Sequence, residues 1–165
     1  MTLGNLKWLT VSVAAWAIDI ASKGLAESAL TVGGFVEVLP AFNLALGHNT
    51  GVSFGLFSGV GGWQRWPLVI LTATIAGGLV VWLSRLPQAG ATAMKAALAL
   101  IIGGAFGNIA DRVRNGAVTD FLQLHYGGWY WPTFNFADVA ITGGAILLIS
   151  AGTFSGRQGS RKAER

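Results

Sequence analysis

The chain has 165 residues, of which 53% are hydrophobic and 11% charged, and it contains 24 glycines. A soluble globular domain carries about 25% charged residues, so this composition excludes that class and indicates a membrane protein. The absence of cysteine excludes disulfides, thiolate metal sites and a cysteine nucleophile. The net charge of +4 comes from basic residues without interleaved exposed aromatics, so nucleic acid is not an expected partner.

Four segments are predicted to cross the membrane, because each is an apolar run of about 20 residues. The first carries Asp19 and Lys23, whose i, i+4 spacing allows an ion pair within one helix. A charged pair is foreign to the apolar core of a signal peptide, so a retained span is favoured over a signal sequence cleaved near Ala26 or Ala29. The predicted spans are residues 8–28, 66–84, 93–113 and 134–154.

The segment between the first two spans, about residues 30–63, is long for a loop without structure. Residues 35–39 and 42–46 alternate partially between apolar and other side chains, which predicts two short strands. Residues 51–62 are rich in glycine and aromatics, which indicates a turn or flap that rests on lipid headgroups. We therefore expect one mainly α-helical membrane domain, residues 1–165, with a small β-sheet at one end of a four-helix bundle.

Basic residues predict the orientation of the spans. An excess of lysine and arginine marks the cytoplasmic side, and here the excess is at the two termini and the loop between spans two and three. Both termini are therefore expected in the cytoplasm. The polar tail, residues 156–165, is predicted to be disordered. The basic residues on this side are Lys7, Arg85, Lys95, Arg157, Arg161, Lys162 and Arg165.

Asp120 and Asp138 are the most informative residues, because they are the only charges between Asn115 and Gly156. An ionisable side chain in or beside a span is expensive and points to function. The topology puts Asp120 in the loop after span three and Asp138 one turn into span four, both near the outer membrane surface. Two neighbouring carboxyls can share a proton and perform aspartic-type hydrolysis. The alternative is a proton relay in a small transporter or scaffold, which needs carboxyls at several depths, whereas these cluster toward one face.

Span three carries Gly104, Asn108 and Arg112 at intervals of four residues, so the three share one helix face. Gly103 and Gly107 form a GxxxG pattern that is typical of close helix packing. Packing requires neither an amide nor a guanidinium, so the two polar residues are candidates for the site.

Other chemistries have weaker support. Asn135 lies three residues before Asp138 and faces the same way on span four. His48 and His125 are isolated from other ligand types, so a metal site is not expected. A triad of Ser53, His125 and an aspartate lacks the nucleophile-elbow pattern. A presenilin-like protease would need glycine-aspartate motifs within its spans, and these are missing.

Four sequence blocks resemble lipoprotein signal peptidase (signal peptidase II), the aspartic intramembrane peptidase family of bacteria. No block is specific alone, but all four occur in order and at the expected topological places, from span one to span four. The blocks are 19–23 (DIASK), 49–55 (NTGVSFG), 103–112 (GGAFGNIADR) continuing to 116–121 (GAVTDF), and 134–138 (FNFAD).

The resemblance implies a fold, a substrate and roles for individual residues. Residues 33–62 would form an extracytoplasmic β-cradle and a short interfacial helix, in a protein of the bacterial inner membrane. The substrate would be a diacylglyceryl-modified prolipoprotein, cut just before its lipidated cysteine, with membrane lipid around it. No metal or cofactor and no more than a monomer is required. Asp120 and Asp138 match the catalytic pair, and Asp19 and Lys23 match supporting polar residues. The positions that match the lining of the active site are Asn49, Gly104, Asn108, Arg112, Asn135 and Ala137.

Overall fold

The computed structural model describes residues 3–51, 62–63 and 65–163, with side chains described up to residue 153. A 3₁₀ turn at Leu3–Trp8 leads into the first of four long helices. The helices are α1 (Leu9–Ala29), α2 (Arg65–Arg85), α3 (Thr92–Asn115) and α4 (Phe136–Ala163). The segments long and apolar enough to cross a membrane are Gly4–Ala29, Arg65–Arg85, Thr92–Asn115 and Phe136–Thr153. They coincide with the predicted spans to within about one helical turn.

Helix α3 is the centre of the bundle, because it packs against each of the other three helices. Two adjacent glycines let it approach two neighbours at once. A Cβ on Gly103 would meet the carbonyl oxygen of Ser12 in α1 at 2.5 Å, and a Cβ on Gly104 would collide with the carbonyl oxygen of Ala137 in α4. Small residues at such crossings allow backbones to touch, so close packing of these glycines is confirmed.

A small antiparallel sheet lies at one end of the bundle, with strand order β1-β2-β3-β4. Its strands come from the connections between α1 and α2 and between α3 and α4, which we call the sheet end; the opposite end is the far end. The first two strands begin where the sequence predicts. The strands are β1 (Phe35–Leu39), β2 (Phe42–Asn49), β3 (Val118–Tyr126) and β4 (Trp129–Tyr130).

The prediction that Asp120 lies in a loop was wrong, because this residue is the third residue of the strand β3. Residues 118–122 are buried consecutively, so the strand lacks the alternation by which a half-exposed strand is recognised. Burial on both faces follows from its position between β2 and the helices. Asp120 is consequently held by a rigid element.

Two further predictions concern the C-terminal tail and the segment between the first two spans. Helix α4 continues as backbone helix to Ala163, whereas the sequence predicts a disordered tail from residue 156. The flap predicted at 51–62 lies mostly outside the described residues, and no helix is seen in the described part of 33–62, where an interfacial helix is expected.

Candidate active site

The chain path brings Asp120 next to the start of α4. Gly116 ends α3 with φ +80° in the left-handed region, and two residues later the chain enters β3. The strand then turns back, so that the backbone N–H of Phe134 donates to the carbonyl of Leu122 at 2.9 Å. Asp120 therefore lies beside the residues that open α4, although they are 15 or more positions away along the chain.

Asn135 and Asp138 form a capping box at the start of α4. The backbone N–H of Asp138 donates to Asn135 Oδ1 at 2.9 Å, and the backbone N–H of Asn135 donates to Asp138 Oδ2 at 3.2 Å. This reciprocal pair satisfies two of the free N–H groups at the helix N-terminus. The sequence pattern N-x-x-D thus fixes the position of the carboxylate together with the first turn of the helix.

One amide group connects the two aspartates. The Nδ2 of Asn135 donates to Asp120 Oδ1 at 2.6 Å, while the same residue caps Asp138. The Nδ2 of Asn108 on α3 donates to the second Asp138 oxygen, Oδ1, at 2.9 Å. The prediction that span three contributes Asn108 to the same place as the aspartates agrees with this geometry.

The two carboxyls differ in exposure. Asp120 is 2% exposed, whereas Asp138 is half-buried and lines a cavity of about 510 Å³. The pKa of Asp120 is raised to about 6, chiefly by burial and also by the nearby carboxylate of Asp138, while hydrogen bonds from the side chains of Asn49 and Asn135 oppose the shift. Asp120 is therefore suited to hold a proton at a pH where an ordinary aspartate is ionised.

The cavity beside Asp138 is mainly apolar, and we call it the aspartate cavity. It lies between α4 and the underside of the hairpin formed by β3 and β4. Its lining includes Leu124, Trp131, Phe134, Thr142 and Gly143. A polar reacting group at one end of an apolar cleft is the usual arrangement of a small-molecule or peptide site.

Lys23 is a buried hub behind the aspartates. Its Nζ lies 2.6 Å from Asp19 Oδ2 and 2.9 Å from Asp111 Oδ2, which confirms the predicted ion pair within α1 and adds a partner on α3. Asp19 Oδ1 in turn accepts the backbone N–H of Ala137 at 2.8 Å. Because α1 is bound to α3 and α4 in this way, it is an integral part of the bundle.

Three residues that sequence reasoning missed complete this network. Asp111 Oδ2 accepts the backbone N–H of Thr119 at 3.1 Å, and Thr119 Oγ1 donates to Glu27 Oε1 at 2.7 Å. Thr119 is the neighbour of Asp120, and Ala137 is the neighbour of Asp138. The network around Lys23 therefore supports both members of the pair Asp120 and Asp138, which we call the dyad. A signal existed for Glu27, which follows Asp19 and Lys23 at intervals of four residues on one face of α1.

The remaining predicted site residues lie around the aspartates. Arg112 is half-buried, donates from Nη1 to the carbonyl of Asn108 at 3.2 Å, and lies against Gly51. Asn49 is exposed, and its Oδ1 accepts the backbone N–H of Gly51 at 2.8 Å. Gly104 and Ala137 are in contact with each other below the dyad.

Among the described residues, no group of three or more histidine, cysteine, aspartate or glutamate side chains could hold a metal ion. His125 stacks on Tyr130 at 5.5 Å between ring centroids.

Comparison with known proteins agrees with this geometry. Residues 11–154 match the family described as signal peptidase (SPase) II. The chain is 41% identical over 147 residues to a lipoprotein signal peptidase of Pseudomonas aeruginosa, covering 88% of this chain and 86% of the relative. It is 41% identical over 160 residues to a lipoprotein signal peptidase of Acinetobacter baylyi, covering 97% and 89%. A solved bacterial membrane enzyme superposes with a TM-score of 0.77 at 29% identity, covering 91% of this chain and 89% of that chain.

Proposed function

We infer the function from one premise, that the chain belongs to the signal peptidase II family, whose members are aspartic-type peptidases. It is a multi-pass membrane hydrolase that removes signal peptides from prolipoproteins. The substrate that we propose is a prolipoprotein carrying a diacylglyceryl group on the cysteine that follows the scissile bond. The observation that carries the site assignment is the hydrogen bonding of both Asp120 and Asp138 by Asn135.

The proposed reaction is hydrolysis by a pair of carboxyls that share one proton. Asp138 faces the aspartate cavity, so it is placed to take a proton from a water molecule that attacks the scissile carbonyl. Asp120 is more deeply buried and has the raised pKa, so it holds the shared proton and gives it to the leaving amine.

Supporting residues keep this arrangement in place. Asn135 and Asn108 donate to the carboxylate oxygens and so fix their orientation. The guanidinium of Arg112 lies near both aspartates and supplies positive charge beside the dyad. Gly104 and Ala137 act through close packing, since their contact sets the distance between α3 and α4. Asn49 contributes a hydrogen bond to Asp120 from β2.

The orientation that we propose puts both termini in the cytoplasm and the sheet end at the outer surface of the bacterial inner membrane. Basic residues are concentrated at the far end and the termini, which supports this choice. A site at the outer leaflet can hold a signal helix in the bilayer while the lipidated cysteine lies at the headgroup level. We propose a monomer, because all side chains of the dyad and its network come from one chain.

The test is cleavage of one prolipoprotein, supplied with and without its diacylglyceryl group, by the purified protein in mild detergent. We expect cleavage of the lipidated form and a loss of at least about a thousandfold in both Asp120→Asn and Asp138→Asn. Glu37→Gln, which makes the same change of acid to amide on an exposed position of β1, is the matched control and should cleave normally.

The outcomes separate the assignments. Folded wild-type protein that leaves a confirmed lipidated substrate intact would exclude the peptidase function. Normal cleavage by a folded Asp120→Asn or Asp138→Asn variant would exclude that aspartate from the dyad. Equal cleavage of the lipidated and unlipidated forms would exclude the proposed substrate class.

A further inference from the structure

A second cavity lies on the other flank of α4 from the aspartate cavity. This α1–α4 groove has a volume of about 470 Å³ and is lined by Ala14, Ile18, Leu100, Phe136 and Ala140, among others. It shares Val139 and Gly143 with the aspartate cavity. The two cavities therefore lie on either side of one ridge of α4 that carries Val139 and Gly143, and Asp138 lines only the aspartate cavity.

Two adjacent glycines on α4 have different surroundings, and only one of them is required by helix packing. A Cβ on Gly144 would meet the carbonyl oxygen of Ala97 at 2.8 Å and Ile101 at 2.7 Å, so packing against α3 requires glycine there. A Cβ on Gly143 would meet nothing within 4 Å. Glycine costs a helix roughly 0.5–1 kcal/mol relative to alanine, and at Gly143 the missing side chain leaves the groove wider than alanine would.

The chemistry of the two cavities differs. The α1–α4 groove is lined by apolar side chains on three helices whose backbone groups are already hydrogen-bonded within the helices. A peptide that is extended for hydrolysis has free N–H and C=O groups, and leaving these unpaired in an apolar site is costly. The aspartate cavity offers Asp138 and Thr142 as hydrogen-bonding partners and suits the peptide. The groove suits a hydrocarbon chain.

The groove also begins beside Asp138, close to where the lipid of the proposed substrate is attached. Phe136 and Val139 flank Asp138 in sequence, and the lining continues along α4 to Gly143, about 10 Å further at about 1.5 Å per residue. In the proposed substrate the lipid is attached to the residue directly after the scissile bond. An acyl chain that leaves this residue can cross the ridge at Val139 and run down the groove.

We propose that the α1–α4 groove binds one acyl chain of the diacylglyceryl group, while the aspartate cavity binds the peptide. This inference rests on the proposed function, since it assigns a part of the same substrate. Lipid tails around the protein are as apolar as the groove, so transfer into it gains little hydrophobic free energy. The groove contributes by orienting the substrate. An acyl chain bound there fixes the position of the glycerol, and thereby that of the scissile bond relative to Asp138.

The test closes the groove without touching the aspartate cavity. Ala14→Phe on α1 and Ala140→Phe on α4 each put a ring into the groove, and neither residue lines the aspartate cavity. Ala17→Phe is the matched control, because Ala17 is an exposed alanine on α1 that does not line either cavity. Each variant is assayed for kcat/KM on two prolipopeptides that differ only in their acyl chains, dipalmitoyl and dibutanoyl, because a four-carbon chain is too short to fill the groove.

We expect wild-type protein and Ala17→Phe to favour the dipalmitoyl substrate, and both groove variants to lose about tenfold on it while keeping most of their rate on the dibutanoyl one. Unchanged chain-length preference in both groove variants would overturn the inference and leave the peptidase function intact. An equal loss on both substrates would also overturn it, because the groove would then not distinguish long acyl chains from short ones. Absence of cleavage by wild-type protein would exclude the proposed function itself, and with it the inference.

Discussion

The two ends of the bundle are built from the same helices but by different interactions. At the sheet end, α1, α3 and α4 are joined by buried charges and amides around Lys23 and Asn135. At the far end, Leu83, Leu98 and Ile102 form a fully buried apolar cluster with neighbours from α1, α2 and α4. The sheet end therefore fixes angles and hydrogen-bond partners, whereas the far end supplies cohesion.

This contrast teaches where function and stability can be separated. Apolar packing is non-directional, so a substitution at the far end changes the free energy of unfolding more than the geometry of the dyad. A buried hydrogen-bonded network is directional, and loss of one member leaves the others unpaired. Four predictions test this contrast, in order of decreasing effect.

The largest effect is expected from two lysines that are equally buried, one at each end. Lys23 and Lys95 are each 3% exposed. Lys23→Met leaves the carboxylates of Asp19 and Asp111 without their cation, which should cost about 3–5 kcal/mol of stability. Displacement of the dyad should lower kcat about a hundredfold in the fraction that remains folded. Unfolding in detergent and turnover of a lipidated substrate measure the two effects.

Lys95→Met is the control for that prediction. Lys95 donates only to the backbone carbonyl of Gln88, at 2.8 Å, among the described contacts. Its replacement should lower stability but leave turnover within about twofold of wild type, since distant sites act independently. A hundredfold loss of turnover in folded Lys95→Met would contradict the separation of the two ends.

The far end should respond to Leu98→Ala by loss of stability alone. The side chain of Leu98 is fully buried, and its truncation leaves a cavity that should cost about 2–5 kcal/mol. We expect kcat per folded molecule to remain near the wild-type value. Calorimetry or chemical unfolding gives the first quantity, and active-site-normalised turnover gives the second; a parallel fall in both would show that the ends are coupled.

A pH effect should be specific to the sheet end. The pKa of Asp120 is raised to about 6 in the folded protein, above its unfolded value, so the folded state holds the proton more tightly. The resulting stability is present below the unfolded pKa and is lost as pH rises through about 6. The loss should be on the order of 3 kcal/mol.

Comparison with Asp120→Asn isolates this contribution, because an amide does not titrate. Between about pH 4 and about pH 7, wild-type protein should lose more unfolding free energy than the variant. Equal losses would mean that Asp120 is not the group with the raised pKa.

The smallest effect is expected from Thr119→Val, which removes one hydrogen bond at the edge of the network. Valine keeps the β-branched shape that suits β3 and the backbone N–H that donates to Asp111. Loss of the bond to Glu27 should cost about 1 kcal/mol and reduce turnover a few-fold. Glu27→Gln should have a smaller effect on turnover, since an amide oxygen still accepts that bond; the reverse order would argue that the charge of Glu27 matters.

Much of the fold could be predicted from the sequence, because membrane spans are set by local hydrophobicity. The runs of apolar residues predicted the four membrane-spanning helices, and the alternation of apolar residues predicted β1 and the start of β2. The strand β3 could not be recognised, since residues 118–122 are buried consecutively and include an aspartate, a residue type that is uncommon in strands. Its identity depends on pairing with β2, which no local pattern encodes.

The site was predictable to a similar degree. Asp120 and Asp138 stood out as charges in an apolar region, and their joint contact with Asn135 agrees with that choice. The second partner of Lys23 could not be foreseen, because Asp111 approaches it only after α3 has crossed α1. Spacing predicts partners within a helix, and tertiary packing decides those between helices.

The pairing of β2 with β3 has a consequence for how the enzyme comes into being. Gly47 lies opposite Asp120 in the sheet, but two complete spans are synthesised between these two residues, and Asp138 belongs to the last span. No fragment of a nascent chain contains the assembled dyad, since domains acquire non-local contacts only after the later segment has left the ribosome. On the proposed assignment of Asp120 and Asp138, proteolytic competence therefore arises only after α4 is inserted, and a chain that stalls earlier in the translocation machinery lacks the complete pair.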